Sequence, residues 1–256
     1  MHTSFQLPEY TTTINSVANT KILEVLRHTG SKAKFYQASS SEMFGKTSPP
    51  QSENSIMAPR SPYAISKLYS YWMTINYREA YNIFATNGIL FNHESPRRGE
   101  TFVTRKITKA IAKIKAGIQE KLYLGNLESK RDWGDSEDFI RAVWAMMQQD
   151  QPCDYVVASG ETHSIREFVE ASFNSAGVPF EATNNDLNTD KLSVAYILKD
   201  SPEVPLVYVN PKYYRPAEVQ LLLGDPSRIE KELGLSLIHI SEPTRRTPIS
   251  YAVFCL

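Results

Sequence analysis

Tyr63 and Lys67 stand four residues apart in a segment whose apolar residues recur at helical spacing. Side chains four apart share one face of a helix, so the Lys67 ammonium would lie beside the Tyr63 phenol. A nearby positive charge favours the phenolate, which makes Tyr63 a candidate base near neutral pH. The spacing is common by chance, so a structural tyrosine and lysine on a helix remain the alternative.

Two further clusters bring together hydroxyl, carboxylate and imidazole groups. Ser40 lies in a serine run that ends at Glu42, a pairing that could transfer a proton. The alternative is a strand-end turn whose serines bond the backbone. Asn92 and His93 form the other cluster, where a hydrogen-bonded structural histidine is the competing interpretation.

The elements that must position these clusters alternate between helix and strand. Apolar spacing predicts helices over 14–25 and 65–75, and apolar runs predict strands at 34–38 and 83–91. Such alternation is typical of a parallel sheet with helical crossovers, which is the α/β class. In open parallel sheets the chemistry gathers beyond the carboxyl ends of the strands, and each cluster is expected there.

The second half of the chain continues the pattern. Helices are predicted over 103–114 and 139–147, with a strand at 155–158 and a helix from Ser164, where Ser164 and Glu167 match a capping box. The lysines of the first of these helices read as a solvated face. The polar stretch 184–211 predicts loops and short strands around a ligand-facing surface.

Composition narrows the function. The 256 residues carry 28 basic and 28 acidic side chains, which gives no support for nucleic-acid binding, although a small phosphorylated ligand is allowed. Two cysteines exclude a disulfide framework and a cysteine-based zinc site, and no other metal site is predicted. The low cysteine count indicates a reducing cytosol, so we expect a cytoplasmic protein, and the sequence shows neither a signal-peptide pattern nor a membrane span.

Five segments resemble one known family. They occur in order between about Phe5 and Gly234, and they read QASSSEMFG, PRSPYAISK, NGILFNHESPRRG, LGNLESKRDWG and YYRPAEVQLLLGD. Together they resemble the GDP-mannose 4,6-dehydratases, which are extended short-chain dehydrogenases/reductases. The resemblance implies a partial Rossmann-type, doubly wound parallel sheet with a smaller, discontinuous substrate-binding region.

The resemblance also implies roles for individual residues. The expected catalytic residues are Ser40, Glu42, Tyr63 and Lys67. The expected NADP contacts are Tyr10, Tyr63, Lys67, His93 and Arg98. The expected GDP-mannose contacts are Asn92, Arg131, Arg215 and Glu218. Ser40 stands where the family usually has threonine, which keeps the hydroxyl and loses a methyl group.

The implied reaction converts GDP-mannose to GDP-4-keto-6-deoxymannose and water by an internal NADP-dependent redox elimination, the first step of GDP-fucose synthesis. The partner expected by resemblance is a second copy of the chain, in a homodimer or homotetramer. Glu42 favours dehydration because a simple epimerase needs no C5 base there. Another sugar-nucleotide dehydratase or epimerase, and an inactive fragment or binding subunit, remain the alternatives.

Two departures from the family pattern shape the expected organisation. The 256 residues contain no Gly-x-x-Gly-x-x-Gly or Gly-x-Gly-x-x-Gly motif, so we expect an N-terminally truncated Rossmann domain. We assign 1–98 to that domain, with return segments at about 135–165, and 99–134 with 166–234 to the sugar-nucleotide region. Residues 235–256 resemble translated sequencing adapter and are expected to be a foreign tail.

Overall fold

A computed structural model describes residues 2–185, 187, 191–214 and 219–236. These residues form two compact units. Unit 1 contains residues 2–93, 132–162 and 221–236, and unit 2 contains the other described residues. The functions assigned above to the regions of the chain stay predictions.

The described elements follow one another in this order. The helices are α1 (His2–Gln6), α2 (Pro8–Thr12), a π-helix (Thr13–Val17), α3 (Ala18–Thr29), α4 (Pro62–Tyr81), α5 (Val103–Lys115), α6 (Ser136–Gln148), α7 (Ile165–Ala176) and α8 (Ser227–Leu233). Short 3₁₀ turns occupy Ser41–Met43 and Pro211–Tyr213. The strands are β1 (Phe35–Ser40), β2 (Ala85–Leu90), β3 (Asn92–Glu94), β4 (Leu122–Leu124), β5 (Lys130–Arg131), β6 (Trp133–Asp135), β7 (Tyr155–Val157), β8 (His163–Ser164), β9 (Phe180–Ala182), β10 (Ser193–Leu198), β11 (Ser201–Val209) and β12 (Leu221–Leu222).

Unit 1 is built on a three-stranded parallel sheet in the order β1-β2-β7. The register runs from Phe35 opposite Ala85 to Ser40 opposite Leu90, so β1 and β2 end at the same edge. Five of the six residues of β2 are buried, as expected for a strand covered on both faces. The predicted α/β class with a parallel sheet is confirmed.

The N-terminal cap of helix α4 determines where Tyr63 and Lys67 lie in its first two turns. The Ser61 side chain accepts a hydrogen bond from the Ala64 backbone N–H, and Pro62 occupies the first helical position. The helix packs on β1 and β2 and ends at Asn82, which adopts a left-handed conformation with φ of 52°. Its first turn therefore lies at a fixed place beside the sheet.

An ion pair between the half-buried Arg78 and the buried Asp154 ties α4 to the sheet. Arg78 donates two hydrogen bonds to Asp154, at 2.8 and 2.9 Å, and one to the Ala85 carbonyl. Asp154 also accepts from the backbone N–H of Asn87 at 2.7 Å. One carboxylate thus connects the helix, strand β2 and the start of β7.

Unit 2 contains a four-stranded mixed sheet in the order β4-β11-β10-β9. Strands β11 and β4 are parallel, whereas β10 is antiparallel to both of its neighbours. The expected strands of the 184–211 stretch are β10 and β11, an antiparallel pair with an irregular register, and its ligand-facing role stays a prediction. The register shifts break the alternation of polar and apolar residues by which a strand is recognised.

Apolar periodicity located the helices but not their buried faces. Ile22 and Val25 of α3 are 51% and 60% exposed, and Ile65 and Trp72 of α4 are 57% and 58% exposed. Leu23 is instead the fully buried residue of α3 and packs with the core around Tyr77 and Ala85. The two helices therefore present an apolar surface away from the core of unit 1.

The predicted capping box at the start of α7 is confirmed. Glu167 N–H donates to the Ser164 hydroxyl at 3.1 Å, and the Glu167 carboxylate accepts from the Ser164 N–H at 3.0 Å.

Among the helices of the described residues, none is both long enough and apolar enough to cross a membrane.

Replacing Asp154 with alanine should lower the free energy of unfolding by about 3 kcal/mol, because the half-buried Arg78 charge and the buried Asn87 N–H would lose their shared partner. Urea denaturation of both proteins measures this loss. Glu137→Ala is the matched control, since its pair with Arg141 is exposed and should cost less than about 1 kcal/mol. Equal losses in the two variants would contradict this account.

Candidate active site

The end of β1 holds the serine and glutamate that the sequence singled out. Ser40 caps the 3₁₀ turn Ser41–Met43, and its hydroxyl oxygen accepts from the Glu42 backbone N–H at 3.3 Å. Both side chains are only 9% exposed. The Ser40 hydroxyl thus bonds the backbone, as the structural interpretation of this run expects, and the proton-transfer role of Ser40 and Glu42 stays a prediction.

Lys67 joins helix α4 to the same strand. Its ammonium donates to the Ala38 carbonyl at 2.9 Å and lies 5.8 Å from the centre of the Tyr63 ring. Burial lowers the pKa of Lys67, because the charged form loses part of its hydration. Lys67 therefore lies next to Tyr63 and is bonded to Ala38, which precedes Ser40 by two residues on β1.

A cavity of about 260 Å³ opens beside β1 and is lined in part by Lys67 and Ala38. Asn19 and Tyr36 are among the lining residues, and their buried Oδ1 and Oη atoms have no hydrogen-bond partner within the described part of the chain. Burial also raises the pKa of Tyr36 well above its usual range, so its hydroxyl stays neutral. The cavity lies between residues of α3, strand β1 and Lys67.

His93 follows the end of β2 in unit 1. Its Nδ1 donates to the Phe91 carbonyl at 3.0 Å, and its ring lies 4.9 Å, centre to centre, from that of Phe139. Asn92 is half-buried beside it in β3. Since β1 and β2 end together, His93 and Glu42 both follow the carboxyl ends of neighbouring strands.

Arg98 belongs to unit 2, where it pairs with Glu94 at 3.2 Å and stacks over the Phe102 ring at 3.7 Å. Burial raises the pKa of Glu94, while the positive charge of Arg98 and a 2.6 Å hydrogen bond from Thr104 oppose that rise. The Arg98 guanidinium is thus fixed by a carboxylate and by an aromatic ring.

The remaining predicted ligand residues are distributed unevenly. Arg131 is a buried residue of β5 in unit 2, where its guanidinium donates to the Lys130 carbonyl at 2.8 Å. Tyr10 lies on α2 and is 62% exposed. Arg215 and Glu218 lie outside the described residues, as does the predicted foreign tail from residue 237 onward.

Asp132 is a buried residue that the sequence reasoning missed, although it stands in the KRDWG segment. Its carboxylate accepts from the backbone and hydroxyl of Ser159, at 2.8 and 2.7 Å, and from the N–H groups of Gly160 and Gly224. Burial raises the pKa of Asp132, and these hydrogen bonds oppose the rise. It fastens the loop after β7 to the segment around Gly224.

No group of three or more histidine, cysteine, aspartate or glutamate side chains suited to a metal ion occurs among the residues that the structure describes. The candidate site brings acid–base and hydrogen-bonding groups to the ends of parallel strands. A parallel sheet with a serine–glutamate turn after one strand and a tyrosine–lysine pair on the next helix defines a Rossmann-type fold of the short-chain dehydrogenase/reductase class.

The chain belongs to the GDP-mannose 4,6-dehydratase family, whose model matches residues 1–237. It is 48% identical over 238 residues to the GDP-mannose 4,6-dehydratase of Vibrio cholerae, and 51% identical over 234 residues to that of Drosophila melanogaster. These matches cover 90% of this chain but 64% and 58% of the relatives. The chain thus spans less than two thirds of the length of these relatives.

Solved structures confirm the fold. The structure of RMD from Pseudomonas aeruginosa complexed with NADPH matches with a TM-score of 0.77 at 23% sequence identity. This match covers 98% of the present chain and 75% of the RMD chain. The structure of UDP-glucose 4-epimerase from Thermotoga maritima matches with a TM-score of 0.73 at 19% sequence identity. This match covers 98% of the present chain and 71% of the epimerase chain. At these identities the likeness establishes the Rossmann-type fold alone.

Ser40→Ala should lower the free energy of unfolding by about 1 kcal/mol, because the turn that carries Glu42 loses its capping oxygen. Ser40→Thr keeps that oxygen and should stay within about 0.5 kcal/mol of the parent. Chemical denaturation measures both. Equal stability of the alanine and parent proteins would show that the hydroxyl does not hold the turn.

Proposed function

We propose that the chain carries the catalytic groups of an enzyme that converts GDP-mannose to GDP-4-keto-6-deoxymannose and water, the first step of GDP-fucose synthesis. One observation carries the proposal. The Lys67 ammonium is bound to Ala38 of the strand whose end presents Ser40 and Glu42. This links the tyrosine–lysine pair typical of a redox step to the carboxylate needed for elimination.

The proposed cofactor is NADP. The residues present fit its nicotinamide ribose, because the Tyr63 ring and the half-buried Lys67 ammonium lie close together beside a parallel strand. His93, Arg98 and Tyr10 are the further proposed contacts. When bound, the nicotinamide would accept hydride from the sugar C4 and return it at C6.

The chain's own side chains would handle the protons. Tyr63 would take the C4 hydroxyl proton, and the neighbouring Lys67 ammonium would stabilise the negative charge that this step requires on the phenol oxygen. Glu42 would then remove the C5 proton, which is acidified by the adjacent ketone. The Ser40 hydroxyl, together with Glu42, would assist the departure of water from C6.

The proposed sugar-nucleotide contacts are Asn92, Arg131, Arg215 and Glu218. Guanidinium groups suit a diphosphate because they donate paired hydrogen bonds to its oxygens.

The proposed cytoplasmic location follows from the two cysteines, which provide no disulfide framework.

An epimerase of the same superfamily is the second candidate, since one shares the fold at a TM-score of 0.73. Glu42 discriminates between the two, because removal of a C5 proton is a step of the elimination. The assay uses the 256-residue chain and a chimera that joins it to the unmatched part of the Vibrio cholerae relative, because the match covers 64% of that relative. Comparing the two also tests the alternative of an inactive fragment.

In the chimera, Glu42→Gln should keep the size of the side chain and lose the base, so 6-deoxy product should fall by about 10²–10⁴-fold. Reduced-nicotinamide absorbance should still develop with GDP-mannose, because oxidation at C4 precedes the step that needs Glu42. Tyr63→Phe should suppress both signals. An unchanged yield of 6-deoxy sugar from Glu42→Gln would remove Glu42 from the mechanism and favour the epimerase.

The proposed partner is a second copy of the chain, in a homodimer or homotetramer. The exposed apolar residues of α3 and α4 support this proposal, and Thr20 and Tyr69, hydrogen-bonded at 3.1 Å, join the two helices along that surface. A two-fold contact would bury the same apolar residues on both copies.

Trp72→Glu should shift the chain toward monomer, because it places a charge in the apolar surface of α3 and α4. Sedimentation velocity at about 10 µM, a concentration where a micromolar dimer is well populated, measures the change. Trp144→Glu is the matched control, since this α6 tryptophan is 67% exposed and lies on another helix. Dissociation by both variants, or by neither, would contradict the proposed interface.

A further inference from the structure

The chain between Glu42 and Tyr63 forms a loop, residues 44–61, that returns to its own start. Gly45 and Ala58 form a parallel bridge at the base of this loop. Two backbone hydrogen bonds of 3.3 Å cross the base, one donated and one accepted by Ala58. The closed base thus joins the turn that directly precedes the loop to the helix that directly follows it.

Gly45 is the residue that allows the base to close. Its φ of 57° lies in the left-handed region, which favours glycine. A Cβ atom at Gly45 would also lie 1.9 Å from the carbonyl oxygen of Ala58, where no side chain fits. Any other residue at this position would therefore push the two sides of the base apart.

Gln51 is fully buried, and its backbone and side chain both take part in fixing the loop. Its N–H donates to the Leu223 carbonyl at 2.8 Å, and its carbonyl accepts from the Asp225 N–H at 2.9 Å. The side-chain oxygen accepts from the Leu223 N–H at 3.0 Å, and the side-chain nitrogen donates to the Thr47 carbonyl at 2.9 Å. Gln51 thus connects the segment 223–225 to Thr47, at the base of the loop.

The segment 223–225 is itself held against the ends of the strands in unit 1. The Gly224 N–H donates to Asp132 at 3.2 Å. A Cβ atom at Gly224 would lie 2.2 Å from Cβ of Ala158 and 3.0 Å from the Phe91 ring, and these two residues directly follow β7 and β2. The base of the loop is therefore connected to the carboxyl edge of the sheet.

Glu53 attaches the same loop at a second place. Its carboxylate accepts from the Val156 N–H of β7 at 2.7 Å. Burial raises the pKa of Glu53, and this hydrogen bond opposes the rise. Because this attachment does not involve Gln51, loss of the two side-chain bonds of Gln51 should loosen the base without releasing the whole loop.

Helix α4 keeps its place independently of the loop. It packs on β1 and β2, and Arg78, near its other end, pairs with Asp154. The closed base therefore determines where the turn carrying Glu42 lies relative to Tyr63, rather than where the helix lies.

We propose that Gln51 is a positioning residue that, by holding the base of loop 44–61 at the carboxyl edge of the sheet, sets the position of the Glu42 carboxylate relative to Tyr63. The roles of Glu42 and Tyr63 rest on the proposed function, whereas the attachment of the loop belongs to the chain alone. In the proposed reaction the two side chains act in succession at C4 and C5 of one sugar, so a misplacement of about 1 Å would slow the second step.

Hydrogen exchange of the backbone amides tests the attachment on the 256-residue chain. Gln51→Met nearly keeps the size of the side chain and removes its two hydrogen bonds, so the N–H groups of Lys46 and Ala58 should exchange about 10-fold faster. Gln37→Met is the matched control, because it removes the side-chain bonds of a second buried glutamine, on β1, and should leave these two amides unchanged. Unchanged exchange in Gln51→Met, or equal acceleration in both variants, would overturn the inference.

Product formation in the chimera separates positioning from a merely structural role. At saturating GDP-mannose, Gln51→Met should lower formation of the 6-deoxy product by about 10–10²-fold, while reduced-nicotinamide absorbance still develops as in Glu42→Gln. Gly45→Ala, which displaces the base directly, should give the same pattern.

A double variant then shows whether Gln51 acts through Glu42. In a Glu42→Gln background, Gln51→Met should lower the remaining product by less than about two-fold, because the group that it positions has already lost its function. Independent, multiplicative losses would overturn the inference. Product unaffected by Glu42→Gln, together with faster exchange in Gln51→Met, would contradict the proposed function and leave the attachment of the loop supported.

Discussion

The parallel pairing of β1 with β2 is the constraint on which the rest of the site depends. Because Ser40 lies opposite Leu90, both strands end at one edge of the sheet. The residues that follow β1 and β2 therefore lie at the same edge, although they are about 50 positions apart along the chain. Helix α4 adds the third component, since the Lys67 ammonium bonds to the Ala38 carbonyl of β1. A shift of the register would displace Glu42 relative to His93.

Two buried carboxylates of unit 1, Asp154 and Asp132, are each satisfied by several hydrogen-bond donors. Asp154 accepts from Arg78 and from Asn87, and Asp132 accepts from the loops that contain Ser159 and Gly224. A buried carboxylate without such partners would cost several kilocalories per mole. These two residues explain how the loops at the ends of the strands are held in defined positions.

The apolar outer surface of α3 and α4 shows a limit of periodicity arguments. Ile22, Val25, Ile65 and Trp72 repeat as a core-facing stripe would, yet they are exposed, and the fully buried Leu23 lies between members of the stripe. Periodicity reports that one face of a helix is apolar; it does not say whether the chain's own core or another surface covers that face. The direction of the stripe followed only from the packing of α4 on β1 and β2.

The sequence by itself determined the alternation of helix and strand, the capping box at Ser164, the family, and the side chains able to move protons, because these depend on residue type and on local spacing. Tertiary structure alone decided that Lys67 bonds to Ala38, that Asp132 collects four donors, and that Phe139 lies against His93. These contacts join residues that are distant along the chain, and their geometry depends on the strand register and on the space left at Gly134, where a Cβ atom would clash with the Phe139 ring. Local pattern holds no information on such distances, because they are set by how the completed elements pack.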